Sequence, residues 1–322
     1  MIKFRRKFIQ FILIRFTMRN SLSDAHPFSK IIFSIFIILI SFLVTILIGI
    51  LIAVPIFHIS LSDFANLANN YSDPDTLRFL KYLQTIQAIG LFIIPAFIIG
   101  YVFNKKSRIY LGFITTKRFL FILTIFIFLA AIPLINSFAM INEHMQLPNW
   151  LSGIEDWMRE QENNAAELTQ AFLQMDNLGA LLFNIFMIGV LPSIGEELIF
   201  RGVLQRLFTE WTKNIHWGIA IAAILFSAMH MQFFGFLPRM ILGVLLGYLF
   251  YWSESIWIPI IGHFVNNTVA IITYYLYGDN MTGEIESIGT NGSIILSLII
   301  GILLLSPLLF LFYKNSNKSA RY

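Results

Sequence analysis

An all-α, polytopic bundle of membrane-spanning helices is the fold class this sequence predicts, and three observations predict it. Of the 322 residues 57 % are hydrophobic and only 12 % charged, against roughly a quarter charged in soluble domains. The apolar residues gather into about eight uncharged runs close to the ~20 residues that cross a bilayer, and mean hydropathy reaches +0.75. The basic residues between the runs are distributed with a strong sidedness.

Taken in order, residues 1–30 form a basic segment. Lys3, Arg5, Arg6, Lys7, Arg15 and Arg19 alternate with aliphatic and Phe side chains, and no small-residue cleavage site follows the short uncharged run 8–14. An amphipathic helix on an anionic leaflet is expected; a tail that only fixes orientation is the alternative. Residues 31–138 hold three spans, at 31–57, 82–103 and 119–138. Residues 139–177 form the sizeable loop, acidic through Glu143, Glu155, Asp156, Glu160, Glu162, Glu167 and Asp176. Within it Leu151, Ile154, Trp157 and Met158 fall at helical spacing, so a surface helix is expected. Its first reading is a solvated connector, its second a lid over a substrate path. Residues 178–277 hold four spans, at 178–208, 217–234, 237–252 and 256–276. Residues 278–322 hold a last span at 294–313 and a basic tail.

With the N-terminus inside, 18 of the 22 Lys and Arg residues fall on inner segments. Arg78, Lys81, Arg159 and Arg239 remain for the outer side, together with the acidic loop. Both termini are therefore expected in the cytoplasm, which suits an even number of spans. The expected location is a cell (inner) membrane, and the Ile/Phe/Lys/Asn-rich style is prokaryotic. The chain has no cysteine, which excludes disulfides, Cys-ligated metal and thiol catalysis. Nothing points to a nucleic-acid partner, and oligomeric state is left open.

Charged residues inside membrane helices cost about 2.5–3.5 kcal/mol or more and so mark partners or water-filled cavities. Here polar residues of this kind concentrate in three places. In the first, Glu196 and Glu197 stand near the middle of the fourth run with Arg201 beyond them. Glu197 and Arg201, at i,i+4, share a helix face, whereas Glu196 points ~100° away. This spacing suggests that Arg201 holds Glu197 ionised and leaves Glu196 free for chemistry. Pro192 and Gly195 are expected to bend or open the helix there. In the second, Phe226 precedes His230 by one turn. In the third, His263 and Asn267 project from one face. Each feature has a plain alternative: an ion pair at a helix end, a packed core histidine, or a polar pair gluing two helices.

The ordered trio Glu196-Glu197-x-x-x-Arg201, Phe226-x-x-x-His230 and His263-x-x-x-Asn267 resembles the CPBP intramembrane proteases, also called the Abi or CAAX-protease and bacteriocin-processing family. The similarity covers roughly 178–277. It implies an intramembrane endopeptidase in which Glu196 and His230 activate a water while His263 and Asn267 stabilise an oxyanion. Glu197 and Arg201 would be the positioning pair, and Phe226 would pack the segment carrying His230. Peptide hydrolysis needs these roles in any case: a base for water, a donor for the leaving amine and preorganised donors for the oxyanion.

A metal-free mechanism is the favoured expectation and zinc the open alternative, with Glu196, His230 and His263 as its three ligands. Against zinc, the chain has no H-E-x-x-H, and Asn267 is a poor ligand. The resemblance implies a membrane-associated protein or peptide as substrate. Two other readings compete: a transporter using midplane polar groups, and a catalytically silent binding or immunity protein. Among smaller features, Gly243-x-x-x-Gly247 is expected to allow close helix packing, and Arg239 to snorkel to the outer interface.

Overall fold

The computed structural model describes residues 22–58, 73–278 and 293–316. The basic stretch 2–19 and the tail residues Lys318 and Arg321 lie outside the described residues, so the expected amphipathic helix does too. Among the described residues the ordered elements are all helical. We number the ten longer helices α1 (Pro27–Phe57), α2 (Pro74–Phe103), α3 (Ser107–Leu111), α4 (Arg118–Glu143), α5 (Ser152–Leu173), α6 (Leu178–Thr212), α7 (Ile215–Ala228), α8 (Phe236–Ser253), α9 (Trp257–Tyr277) and α10 (Ile294–Asn315).

The helix starts follow from local chemistry. The Asp73 carboxylate accepts from Thr76 N–H (2.9 Å) with Pro74 at the first helical position, the arrangement that suits a helix N-terminus. Asn177, Asn214 and Ser293 cap α6, α7 and α10 in the same way. Gly112 ends α3 at φ 88°, a conformation that favours glycine. Lys213 and Glu254 adopt left-handed backbone after α6 and α8.

Each of the eight apolar runs becomes a helix, but not all as read. By length and composition six can cross a membrane: α1, α2, α4, α6, α8 and α10. The fifth run is the clearest difference. Its helix, α7, stops at Ala228 instead of continuing to 234, and the chain turns through Met231 (φ 53°) before α8 begins. His230 therefore lies in a turn. The largely apolar sequence Met231-Gln-Phe-Phe-Gly-Phe hides this break, because hydropathy does not register a change of backbone direction.

α6 is continuous from Leu178 to Thr212, and two π-helical stretches, Ile185–Val190 and Leu198–Leu204, flank the α-helical turn Leu191–Glu197. The expected irregularity near Pro192 is thus present as widened turns on either side of the two glutamates. π-turns of this kind recur at functional sites. α2 has a third, Ile89–Ile93, which packs on α6 so closely that a Cβ at Gly195 would sit 2.8 Å from Phe92 Cβ.

One buried cluster joins α1, α2, α3, α6, α7, α8 and α9 around Phe200, Val203 and Phe226. A second joins α4, α8, α9 and α10 around Ile127, Leu246 and Phe312. At Gly262 of α9 the Phe128 ring of α4 occupies the space a side chain would take. α1 turns a broad face outward, including Leu43, Leu47 and Leu51, each about 60 % exposed; in a bilayer such a face meets lipid.

The two ends of the bundle differ. At one, Lys30 pairs with Glu210 (2.8 Å), Ile256 N–H donates to Gly112 O, and Lys117 donates to Asn315 O. At the other, α5 lies against the α4–α6 connection, tied by Glu155 accepting from Leu147 N–H (2.9 Å) and by Asn184 donating to Phe172 O (2.6 Å). Residues 139–177 are therefore the end of α4 and an ordered helix rather than an open loop.

Candidate active site

The half of α6 that carries Glu196 and Glu197 is organised by one buried ion pair. Arg201 Nη1 lies 2.8 Å from Glu197 Oε1, and both side chains are essentially inaccessible. The other side of the guanidinium donates to Gly243 O (3.0 Å) on α8, and its centre sits 4.8 Å over the Phe226 ring. A carboxylate buried to this depth requires such partners. The sequence spacing anticipated the Glu197–Arg201 pair, and the structure adds a third member. His263 Nδ1 stands 2.8 Å from Glu197 Oε1, so Glu197 joins α6 to α9.

Glu196 points elsewhere, as its 100° offset requires. It lines a cavity of about 310 Å³ with His230, His263, Asn266, Asn267, Pro192 and Phe226. Its Oε2 is buried without a hydrogen-bond partner and lies 4.0 Å from His263 Nε2. A carboxylate oxygen left open beside an imidazole in a cavity is free to accept from water. His263 thus faces both glutamates, one through each ring nitrogen.

The turn after α7 fixes the tautomer of His230. Nδ1 lies 2.8 Å from Phe226 O, and a carbonyl only accepts, so Nδ1 carries the proton. In the neutral ring Nε2 is then the acceptor. Phe226 does more than pack a helix: its ring meets His230 edge-on at 5.2 Å, His263 at 5.8 Å and Phe200 at 5.2 Å. Asn267 donates from Nδ2 to Ile188 O (3.0 Å) in the first π-helical stretch of α6. One amide hydrogen is used there and the other is left.

All seven residues named from the sequence converge here: Glu196, His230, His263 and Asn267 on the cavity, with Glu197 and Arg201 behind it and Phe226 between. Three contributors escaped the sequence reading. Arg239 lines the cavity, its guanidinium bonded to the Gln232 carbonyl and side-chain amide oxygen. Gln84 of α2 lines it from a helix outside the motifs. Leu168, Thr169 and Phe172 of α5 also line it, so α5 is a wall of the cavity and not simply a connector. Only the acidic, amphipathic pattern of α5 hinted at this.

The alternative zinc ligands Glu196, His230 and His263 share the cavity, yet among the described residues no group of three or more His, Cys, Asp or Glu is arranged to hold a metal ion. Both Nδ1 atoms are already committed, to Phe226 O and to Glu197. This leaves their Nε2 atoms as the ring donors, and a histidine that binds a metal commonly has its other ring nitrogen held in the same way.

Residues 178–269 match the family described as Type II CAAX prenyl endopeptidase Rce1-like. Two proteins of Bacillus subtilis (strain 168) are similar to the chain. "Uncharacterized protein YpbD" is 28 % identical over 90 residues, 27 % of this chain and 43 % of that protein. "Putative membrane peptidase YdiL" is 30 % identical over 114 residues, 35 % of this chain and 43 % of that protein. The chain thus spans less than half the length of these curated relatives. No solved structure matches it. The helices and motifs agree with the match: residues 178–269, which contain all seven of these side chains, are similar to the Rce1-like, or CPBP, family.

Proposed function

We propose that this protein is an intramembrane endopeptidase that hydrolyses a peptide bond of a membrane-associated protein or peptide with a glutamate-activated water. The observation that carries this reading is the convergence of an open Glu196 oxygen, the His230 ring, His263 and Asn267 on one cavity. In the reaction a water donates one proton to Glu196 as its oxygen attacks the scissile carbonyl carbon, with His230 Nε2 accepting the second hydrogen to orient it. The carbonyl oxygen becomes the oxyanion, facing the free amide N–H of Asn267 and the His263 ring. When the C–N bond breaks, the proton held by Glu196 passes to the amine nitrogen. Such donors matter because they point at charge that exists only in the transition state.

The arrangement assigns different work to neighbouring carboxylates. Glu197 is spent on Arg201 and His263 and keeps the site rigid; Glu196 does the proton transfer. The same basic-inside distribution puts the α3 end of the bundle in the cytoplasm and the α5 end outside, so substrate reaches the cavity beside α5.

The test uses full-length protein and a membrane-extracted proteome. Glu196→Gln removes cleavage products while leaving the unfolding midpoint in place, and a strong chelator leaves wild-type cleavage unchanged. Identical products from wild type and Glu196→Gln remove Glu196 from the mechanism. Activity lost to chelator and regained with Zn²⁺ overturns the metal-free route.

A further inference from the structure

His230 stands in a turn that its own sequence does not dictate. The run 217–234 is largely apolar and reads as one helix, yet α7 stops at Ala228. Met231 then takes a left-handed backbone (φ 53°), which non-glycine residues rarely adopt. Bonds from two other helices hold the chain in this shape.

Asn142, near the end of α4, is only 4 % exposed, and the turn engages both ends of its amide. Its Nδ2 donates to Phe233 O (3.0 Å), and its Oδ1 accepts from Leu237 N–H (2.6 Å). These partners fix the orientation of the amide, since a carbonyl only accepts and a backbone N–H only donates. Leu237 belongs to the first turn of α8, whose N-cap residue Gly235 offers no side-chain bond. Asn142 thus supplies, from a different helix, the cap that α8 lacks. A third bond comes from Glu162 of α5, which accepts from Phe234 N–H (3.1 Å).

The effect reaches the histidine ring. In a continuing α-helix the His230 N–H would bond to Phe226 O. In the turn it goes to Ser227 O instead (3.2 Å). The carbonyl so released stands 2.8 Å from His230 Nδ1 and accepts from the ring. The shape of the turn therefore selects the tautomer, and Nε2 remains as the acceptor in the cavity.

We infer that Asn142 is a positioning residue for His230: by holding Phe233 and Leu237 it keeps α7 from running on past Ala228, and so frees the carbonyl that fixes the ring. Its effect on cleavage rests on the peptidase reading, whereas its effect on the ring rests on the geometry alone. Asn142 lies outside residues 178–269, so a helix beyond the matched segment helps to build the site.

The test is the nitrogen NMR spectrum of isotope-labelled histidine rings in the full-length protein in mixed micelles, at a pH above the histidine range. The His230 signals are assigned by their loss in His230→Gln. Beside it, initial rates of product formation are measured on a membrane-extracted proteome. Wild type is expected to show one His230 tautomer, protonated at Nδ1. Asn142→Ala is expected to show an average of two tautomers and to lose product formation by about 10²-fold, as a small misplacement of a catalytic group does. Gly49→Ala is the control, since its methyl would meet Ile86 Cγ2 at 2.7 Å between α1 and α2. It loosens the bundle elsewhere and is expected to leave the His230 signals in place. Signals in Asn142→Ala identical to wild type overturn the inference, and so does the same change in Gly49→Ala. If Asn142→Ala does not fold, Asn142→Asp is judged by the same results; it keeps the acceptor for Leu237 and removes the donor to Phe233 O. A wild type that yields no product overturns the peptidase reading, while the ring spectrum still decides the role of Asn142.

Discussion

Glu197 and Arg201 invite a double-substitution cycle, because the roles assigned to the two glutamates make opposite predictions about stability. In Glu197→Gln the Arg201 charge is stranded in a site only 1 % exposed; in Arg201→Met the Glu197 carboxylate is stranded with His263 alone. Breaking a buried pair from one side costs about 3–5 kcal/mol, so each single variant is expected to lose that much. The double variant strands neither charge and is expected to be no worse than either single variant. That outcome corresponds to a coupling at or beyond the upper end of the usual ~0.5–3 kcal/mol. Gly243 O loses its donor in both Arg201 variants, so this cost cancels between them. The assay is reversible unfolding in mixed micelles for the four proteins, with Glu196→Gln as comparison. Glu196, whose Oε2 has no partner, is expected to unfold like wild type when changed to Gln. Additive singles, or a Glu196→Gln variant as unstable as Glu197→Gln, would refute the assigned division of labour.

Asn267→Ala should lower kcat by about 10²–10³-fold with little change in KM, as loss of an oxyanion donor does; single-turnover cleavage measures it. Gly262→Ala drives a methyl into the Phe128 ring and should destabilise by about 1–3 kcal/mol, read from the same unfolding curves. The Glu155 carboxyl is held below its ordinary range mainly by Arg159, with Leu147 N–H adding to it. A depressed value means this contribution is full above the unfolded pKa and lost as pH falls through the lower folded one. Hydrogen exchange at 144–160 should therefore quicken with acidification across that window, and Glu155→Gln should abolish the pH dependence.

Much of this architecture was legible because membrane helices announce themselves as apolar runs. All eight runs became helices, and the i,i+4 spacing of Glu197 and Arg201 gave their ion pair directly. What escaped was tertiary or conformational. Nothing local tells His263 that its Nδ1 will meet a carboxylate 66 residues away. The turn at His230 is written in apolar residues, and a hydropathy profile reads them as more helix. That Arg239 lines the same cavity as Glu196 escaped too, because a sequence gives a side chain's place along the helix but not what it faces. The aromatic neighbours of Phe226 explain its place one turn before His230, a spacing that chemistry alone left without a role.

The widened turns of α6 have a consequence for ancestry. A π turn holds one residue more than an α turn, so it absorbs the rotation of about 100° that an extra residue would otherwise impose on everything beyond it. Glu197 lies just before the second such stretch and Gln205 just after it, so the phase between the two ends of α6 depends on that extra residue being absorbed there. Relatives that lack one of these turns should align with this chain only through a one-residue gap inside a membrane helix, where gaps are ordinarily forbidden. Deleting a residue from 198–204 should close that stretch to ordinary α turns and leave both Glu196 and Gln205 on the faces they hold now.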